Sequence, residues 1–338
     1  MSDKKKLINF DNSYARLPKS FFECIKPTPV KEPKLIRFNK PLAKEIGLNV
    51  IDDNDILSDI FSGNIVPEGS EPIALAYAGH QFGYFVPQLG DGRAILLGEI
   101  VNNGGCRFDI QLKGSGQTSY SRSGDGRAPL GAVIREYIIS EAMHSLNIPT
   151  TRSLAIIVTG ELVSRETLLP GGILTRIASS HLRVGTFEYF AASDDHENLQ
   201  LLADYAINRH FPDIKESNLR YQTFLESVCD RQAALIAKWM HVGFVHGVMN
   251  SDNTSISGET IDYGPCAFMD SYDPATVFSS IDHHGRYAYG NQPNIAQWNI
   301  ACLGESLLPL IHSDRNKAIG IAEEILDSFQ DKFRKYWL

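Results

Sequence analysis

The stretch from Gly243 to Pro265, GFVHGVMNSDNTSISGETIDYGP, constrains the fold more than any other part of the chain. In it Asp252 and Asn253 stand just before a short intervening segment and Asp262 just after it, which sets two aspartates and an amide around that segment. That segment, Thr254 to Ile261, alternates apolar and polar residues about Ser257-Gly258, which predicts a tight two-stranded hairpin. Such a hairpin brings Asn253 beside Asp262. A hard cation that bridges phosphates needs one or two oxygen side chains held in this way. The stretch therefore reads as a metal and triphosphate site. The plainer reading is an Asx-rich surface loop, since Asn and Asp form turns for their own reasons.

His246 precedes Asn253 by seven positions, the spacing between His and metal-binding Asn in kinase-type catalytic loops. Ile261-Asp262-Tyr263-Gly264 is similar to the Asp-Phe-Gly turn. One position departs: Val248 stands where a kinase carries its catalytic Asp, and the nearest acid is Asp252, directly before Asn253. Upstream, Tyr84 to Leu89, Arg93 to Val101 and Arg107 to Lys113 predict three antiparallel strands. Gly90-Asp91-Gly92 is the turn between the first two, and Lys113 closes the third. This is the layout of a kinase small lobe, with Lys113 as a point charge for phosphate oxygens. A strand lysine alone is usually just solvated, and a Gly-Asp-Gly triplet usually just closes a hairpin. Their occurrence together with the distal loop is what favours the functional reading. Arg93 is either a phosphate ligand or a surface charge.

The small-residue stretch from Gly114 to Arg127 lets backbone approach a nucleotide closely. Pro129 to Leu146 reads as a helix carrying Glu136, the expected partner of Lys113, although a single helical Glu is more often exposed. Ser153 to Val158 and Glu161 to Glu166 predict a hairpin through Thr159-Gly160. Arg176 and Arg183 lie seven positions apart, on similar faces if the segment is helical. Their guanidinium groups suit bidentate phosphate binding, or ordinary surface salt bridges. Further helices are expected over 40–46, 197–210, 219–242, 294–311 and 318–337. Ser279 to Pro293 reads as an irregular substrate-facing or activation-like segment, with His283-His284 exposed rather than metal-binding.

With 338 residues, 43% apolar and 21% charged, the chain has ample length for one large domain or two lobes. The pattern of elements is α+β. It divides into an arm over 1–60 that packs on the body, a small lobe over 61–190 and a helical large lobe over 191–338. A net charge of −8 argues against broad affinity for nucleic acid or anionic membrane. No stretch reaches membrane-spanning length, and the basic opening MSDKKKLINFDNSYARLP has no apolar run behind it, so a secretory leader is not expected. Cys24, Cys106, Cys229, Cys266 and Cys302 are scattered and form no C-x-x-C pair, which fits reduced thiols in a cytoplasmic protein.

Three long stretches, YAGHQFGYFVPQLGDGRAILLGE, QLKGSGQTSYSRSGDGRAPLGAVIREYIISEAMH and HGVMNSDNTSISGETIDYGPCAFMD, carry a resemblance. The chain resembles the selenoprotein O (YdiU) family of kinase-like protein nucleotidyltransferases along essentially its whole length. The resemblance implies a protein-kinase-like two-lobe fold, with an antiparallel-sheet small lobe and a mainly helical large lobe. It implies transfer of AMP from ATP, or UMP from UTP, to Ser, Thr or Tyr hydroxyls of proteins. The nucleotide is then inverted relative to a kinase, so that attack falls on the α-phosphate and pyrophosphate leaves. Carried over by position, Gly90, Gly92, Arg93, Lys113, Asp125, Gly126, Arg176, Arg183 and Asp262 hold the nucleotide. Asn253 and Asp262 bind Mg2+ or Mn2+, Asp252 accepts the hydroxyl proton, and Glu136 supports Lys113. Val248 is the family's residue at the kinase Asp position. The resemblance also implies further helices and a redox-active cysteine or selenocysteine beyond the position of Leu338. Two other readings are an orthodox kinase, against which Val248 counts, and a noncatalytic nucleotide-binding scaffold. Against the scaffold count Lys113, Glu136, Asn253 and Asp262.

Overall fold

A computed structural model describes residues 8–49 and 53–338. Of the basic opening stretch, residues 1–7 lie outside the described ones. The strands are β1 (Phe22–Cys24), β2 (Lys34–Phe38), β3 (Ile73–Leu75), β4 (Gly79–Gln81), β5 (Tyr84–Val86), β6 (Ala94–Val101), β7 (Arg107–Lys113), β8 (Ala128–Pro129), β9 (Arg152–Ser164), β10 (Leu168–Ala178), β11 (Phe244–Val245) and β12 (Ala267–Phe268). The α-helices are α1 (Lys40–Glu45), α2 (Asn54–Ser62), α3 (Leu130–Ser145), α4 (Val184–Ala192), α5 (His196–His210), α6 (Arg220–His241), α7 (Gln292–Ile311) and α8 (Arg315–Trp337). The fold is mixed, a mainly antiparallel sheet plus helices, divided into two compact units that are each discontinuous in sequence.

The first unit comprises Met1–Ala76, Leu89–Leu146 and Thr151–His181. Its sheet runs β1-β3-β6-β7-β10-β9-β2, with β8 also pairing β10. Alternation along β7 organises it. Ile110 and Leu112 face an apolar cluster that includes Leu42 and Ala43 of α1 and Leu57, Ile60 and Phe61 of α2. Asp109, Gln111 and Lys113, on the opposite face, are also buried. There α3 packs through Val133, with Leu130, Ile134 and Tyr137, against Ile156 and Leu174. A strand buried on both faces yet polar on one must pair every polar group it hides. Residues from Ile8 onward are integral to this unit, since β1, β2, α1 and α2 all contribute to it.

Several sequence expectations need correction. The partner of β6 is β3, through Ile73 and Leu96, not Tyr84 to Leu89. Residues 84–86 instead pair with Gly79–Gln81 in a separate hairpin, whose turn residues Phe82 and Gly83 both have positive φ (52° and 87°). Two left-handed residues give the twist that a two-residue hairpin needs. Gly160 likewise closes no hairpin: β9 runs through it, and the reversal comes after Ser164, where Arg165 N–H bonds the Thr167 carbonyl. Its φ of 71° is a local bend, and a Cβ there would fall 2.6 Å from the Glu32 side chain. Finally, no helix joins Arg176 to Arg183. Arg176 lies on β10, and Arg183 is the N-cap of α4.

The second unit comprises Tyr77–Gln88, Asn147–Thr150 and Leu182–Leu338. Its helices α4 to α8 pack through residues such as Phe187, Phe224, Val228, Leu303 and Phe329, all buried. Asp195 and Asp314 cap α5 and α8, their carboxylates accepting first-turn N–H groups. Residues 279–288 contain no helix or strand, and His283 and His284 are exposed. The hairpin predicted for Thr254 to Ile261 is absent. Its turn forms, with Gly258 N–H on the Ser255 carbonyl, but Ser255 bridges to Arg183 and Thr260 to Thr150. No described helix is long and apolar enough to cross a membrane.

A half-buried ionic cluster in the first unit generates a stability prediction. Arg152 Nε and Nη2 each lie 2.8 Å from an oxygen of Glu141, which also accepts from Ser153 N (3.1 Å) and Asn39 Nδ2 (2.8 Å). Burial raises the Glu141 pKa, but these bonds outweigh it and hold the carboxyl below its ordinary 4.5. The depressed value means that the stabilisation is complete above pH 4.5 and fades as pH falls through the folded pKa. Glu141→Gln is expected to lower unfolding free energy at pH 7 by about 2 kcal/mol. Denaturant titrations should find that deficit shrinking below pH 4.5.

Candidate active site

In the first unit the register of β7 and β10 sets Arg176 directly opposite Gln111. From α3, Glu136 reaches both sides of this pair. Its Oε2 is 2.7 Å from Lys113 Nζ and its Oε1 is 3.4 Å from Arg176 Nη1. Arg176 Nε donates to Gln111 Oε1 at 3.1 Å, and Gln111 Nε2 donates to Asp91 Oδ2 at 3.0 Å. Every member is buried, Arg176 to 1% exposure. Two cations and two carboxylates thus balance in a low-dielectric setting, where an unpaired charge is costly. The structure brings Lys113, Glu136 and Arg176 together, and adds Asp91 and Gln111, which sequence reasoning missed. In the sequence Asp91 carries only a turn signal, and the available signal for Gln111 is its period-two placement between Asp109 and Lys113.

The predicted nucleotide loop residues are dispersed around this centre. Arg93 is exposed, and its carbonyl accepts the Gly114 N–H. Asp125 is exposed too, 2.9 Å from Arg165, whose bond to the Asp125 carboxyl outweighs partial burial and lowers its pKa. Gly90, Gly92 and Gly126 serve close packing. A Cβ at Gly90 would lie 2.2 Å from the Tyr120 ring, one at Gly92 would lie 2.8 Å from the Tyr120 carbonyl, and one at Gly126 would lie 2.1 Å from the Gly116 carbonyl.

In the second unit the site grows from His246. Its Nε2 lies 2.8 Å from the Ile261 carbonyl, and its Nδ1 accepts the Val248 N–H at 3.3 Å, which assigns the ring proton to Nε2. The ring stacks on Trp239, 5.4 Å between centroids. One imidazole thereby ties the start of the loop to the residue before Asp262. Arg183, only 2% exposed, supplies the next tie. Its Nη1 donates to the Asp252 carbonyl at 2.6 Å and to the Asp262 carboxylate at 2.5 Å. Asp262 has a left-handed backbone, φ 58°, which Asp tolerates better than most residues and which recurs at functional sites.

The Asp252 carboxyl is strongly affected by burial. Burial pushes its pKa up to about 6, against the opposing pull of Arg183 and Gln81. Gln81 Nε2 reaches Oδ2 at 3.3 Å, while Oδ1 is buried with no hydrogen-bond partner among the described residues. A carboxylate with one anchored oxygen and one unengaged oxygen is suited to accept a proton. Asn253 Nδ2 donates to the Val248 carbonyl at 3.0 Å, leaving Oδ1, the atom a hard cation takes, outside that bond. Asp262 and Asn253 are both hard oxygen donors, which fits Mg2+ or Mn2+ rather than a soft metal. Sequence reasoning missed Gly79, Gln81 and Gly185, although Gly79 and Gln81 fall within the first of the three resemblance stretches.

A family model described as Protein adenylyltransferase SelO matches residues 5–338. The chain is 63% identical over 328 residues to the Protein nucleotidyltransferase YdiU of Maridesulfovibrio salexigens, covering 97% of this chain and 67% of that relative. It is 65% identical over 335 residues to the protein of the same name in Anoxybacillus flavithermus, covering 98% and 69%. For that of Rhizobium etli the identity is 61% over 329 residues, covering 97% and 66%. The chain spans about two thirds of the length of these curated relatives.

Close approach of backbone within the second unit gives a test independent of chemistry. A Cβ at Gly185 would sit 2.1 Å from the Ala78 carbonyl oxygen and 3.3 Å from Asp252 Cα. Alanine suits helical backbone, so any cost of Gly185→Ala is steric. The substitution is expected to destabilise by about 3 kcal/mol, read as a lowered Tm in thermal unfolding.

Proposed function

The chain belongs to the SelO family of protein adenylyltransferases, and we propose that it transfers AMP from ATP to Ser, Thr or Tyr hydroxyls of target proteins. In this reading the acceptor oxygen bonds to the α-phosphorus while the bond from that phosphorus to the bridging oxygen breaks. Pyrophosphate leaves, and the hydroxyl proton passes to Asp252 Oδ1. The observation that carries the reading is Asp252 itself: a buried carboxyl raised to about 6, with one unengaged oxygen, in a loop where Val248 replaces the kinase Asp.

The other roles follow from chemistry. Lys113 and Arg176, balanced on Glu136, neutralise phosphate oxygens, and Arg93, Asp125, Gly126, Gly90 and Gly92 complete nucleotide binding. Asn253 and Asp262 hold Mg2+ or Mn2+, which supplies charge neutralisation for the triphosphate when bound. Preorganised charge of this kind contributes more to rate than the base does. We assign the first unit to the small lobe and the second to the helical lobe of a kinase-like fold. The setting is the cytoplasm, consistent with five free cysteines. UTP as donor is the second reading within the same chemistry.

Intact-mass analysis of a casein acceptor after incubation with the chain, ATP and Mg2+ or Mn2+ separates the readings. An AMP-sized increment is expected; a phosphate-sized one indicates a kinase, and no change indicates a scaffold. Asp262→Ala should abolish both transfer and metal-dependent ATP binding, and undiminished labelling would refute its role. Asp252→Ala should keep ATP binding and lose at least about a hundredfold in turnover. An equal loss of binding would make Asp252 a metal ligand instead.

A further inference from the structure

We propose that Glu188 and Ser251 are positioning residues, which with His80 form a closed hydrogen-bond ring that fixes the Asp252 turn. The inference rests on Asp252 as the proton acceptor. The ring lies wholly in the second unit. The backbone N–H of His80 donates to Ser251 Oγ at 2.7 Å, and the Ser251 hydroxyl donates to Glu188 Oε2. Glu188 Oε1 then meets His80 Nδ1 at 2.5 Å, closing the circuit back to the residue that began it. Ser251 is fully buried and Glu188 is 4% exposed. Ser251 opens the single 3-10 turn, Ser251–Asn253, that carries both Asp252 and Asn253.

Two features give the ring a positional role. Residues 79–82 contact this turn one after another. A Cβ on Gly79 would strike Asp252 Oδ1 at 2.7 Å, His80 bonds Ser251, Gln81 bonds Asp252, and Phe82 N–H bonds Asn250 Oδ1 at 3.2 Å. From the other side α4 holds the turn at two points. Its N-cap Arg183 bonds the Asp252 carbonyl, and Glu188, further along the same helix, bonds Ser251. A rigid element gripping a short turn at two points fixes its orientation as well as its location. Displacement of a reacting group by about 1 Å costs about a hundredfold in rate, so removing one grip should appear in turnover.

Cys302 lies near the ring, and the ligand atoms of His80, Glu188 and Cys302 fall within 4.8 Å of one another. Tetrahedral ligands of one zinc ion sit about 3.3 to 3.8 Å apart, given bonds of about 2.0 to 2.3 Å. The 2.5 Å His80 to Glu188 contact is too short for that geometry and the 4.8 Å spread too wide. Hydrogen bonding accounts for the cluster better than a metal does.

His80 and Glu188 also line a cavity of about 460 Å³, which makes a chemical rescue possible. The full chain is assayed with ATP, Mg2+ and casein by pyrophosphate release. Glu188→Gln keeps the shape but cannot accept both hydrogen bonds, and Ser251→Ala removes the link. Each is expected to lower kcat about tenfold to a hundredfold, with KM for ATP within about twofold and the double variant no worse than the poorer single. Glu188→Ala should regain part of its lost kcat in sodium formate but not in sodium chloride. If Glu188→Ala does not fold, the other two variants carry the test. Wild-type kcat in Glu188→Gln and Ser251→Ala, a loss confined to KM, or stoichiometric zinc lost on His80→Ala would overturn the proposal. Asp252→Asn separates the layers. If it retains full turnover, the base assignment fails; if it is inactive while the ring variants are not, only the positioning claim fails.

Discussion

One guanidinium group carries the second unit's arrangement. Arg183 donates from a single nitrogen to the backbone of Asp252 and to the carboxylate of Asp262, and its Cζ lies 4.7 Å from the centroid of the Tyr77 ring. Arg183 is buried and Asp262 half-buried, so loss of the aspartate would leave a buried guanidinium without its carboxylate, which is costly. The neighbouring sequence is shaped by that demand. Gly185 lets the Ala78 carbonyl approach the helix that Arg183 caps, and Gly79 leaves space for the Asp252 side chain. The left-handed backbone of Asp262 is held between the His246 bond to Ile261 and the Arg183 bond to its own carboxylate.

The first unit meets a comparable demand with a different device. There a carboxylate is shared by two cations, Lys113 and Arg176, and alternation along β7 delivers the polar groups to one face while Ile110 and Leu112 fill the other. In the proposed reaction, fixed charge of this kind would need no reorganisation, which is how preorganised sites stabilise charge that develops on phosphate oxygens. Both units thus hold buried charge fixed in place, although Lys113 sits fully paired on a regular strand and Asp252 sits on a single 3-10 turn with one oxygen unengaged. The Glu188 ring extends the same logic one layer outward from Asp252.

Much of the helical content was legible, because α3, α5, α6, α7 and α8 follow apolar periodicity and local capping that do not depend on distant partners. The Lys113 to Glu136 contact was legible from the order of strand and helix. Pairing was harder to read. Ser255 and Thr260 have the alternation of a hairpin, but they bridge to Arg183 and Thr150, and no local pattern names a bridge partner far away in sequence. Gly160 has the signature of a turn and serves as a bend inside a long strand. Residues 77–88 belong to the second unit although both flanks belong to the first, an exchange that local texture does not encode. Arg176 and Arg183 share a seven-residue spacing without sharing a helix, because β10 ends between them.

The claim that one cation sustains both acids is tested most directly by Arg183→Lys, with kcat and the gain in ATP affinity on adding Mg2+ measured on the same preparation. Lysine keeps the charge but loses the planar fork. The account predicts that both quantities fall together, since Asp252 and Asp262 lose a common anchor. Retention of either at its wild-type value while the other falls, or of both, would contradict it.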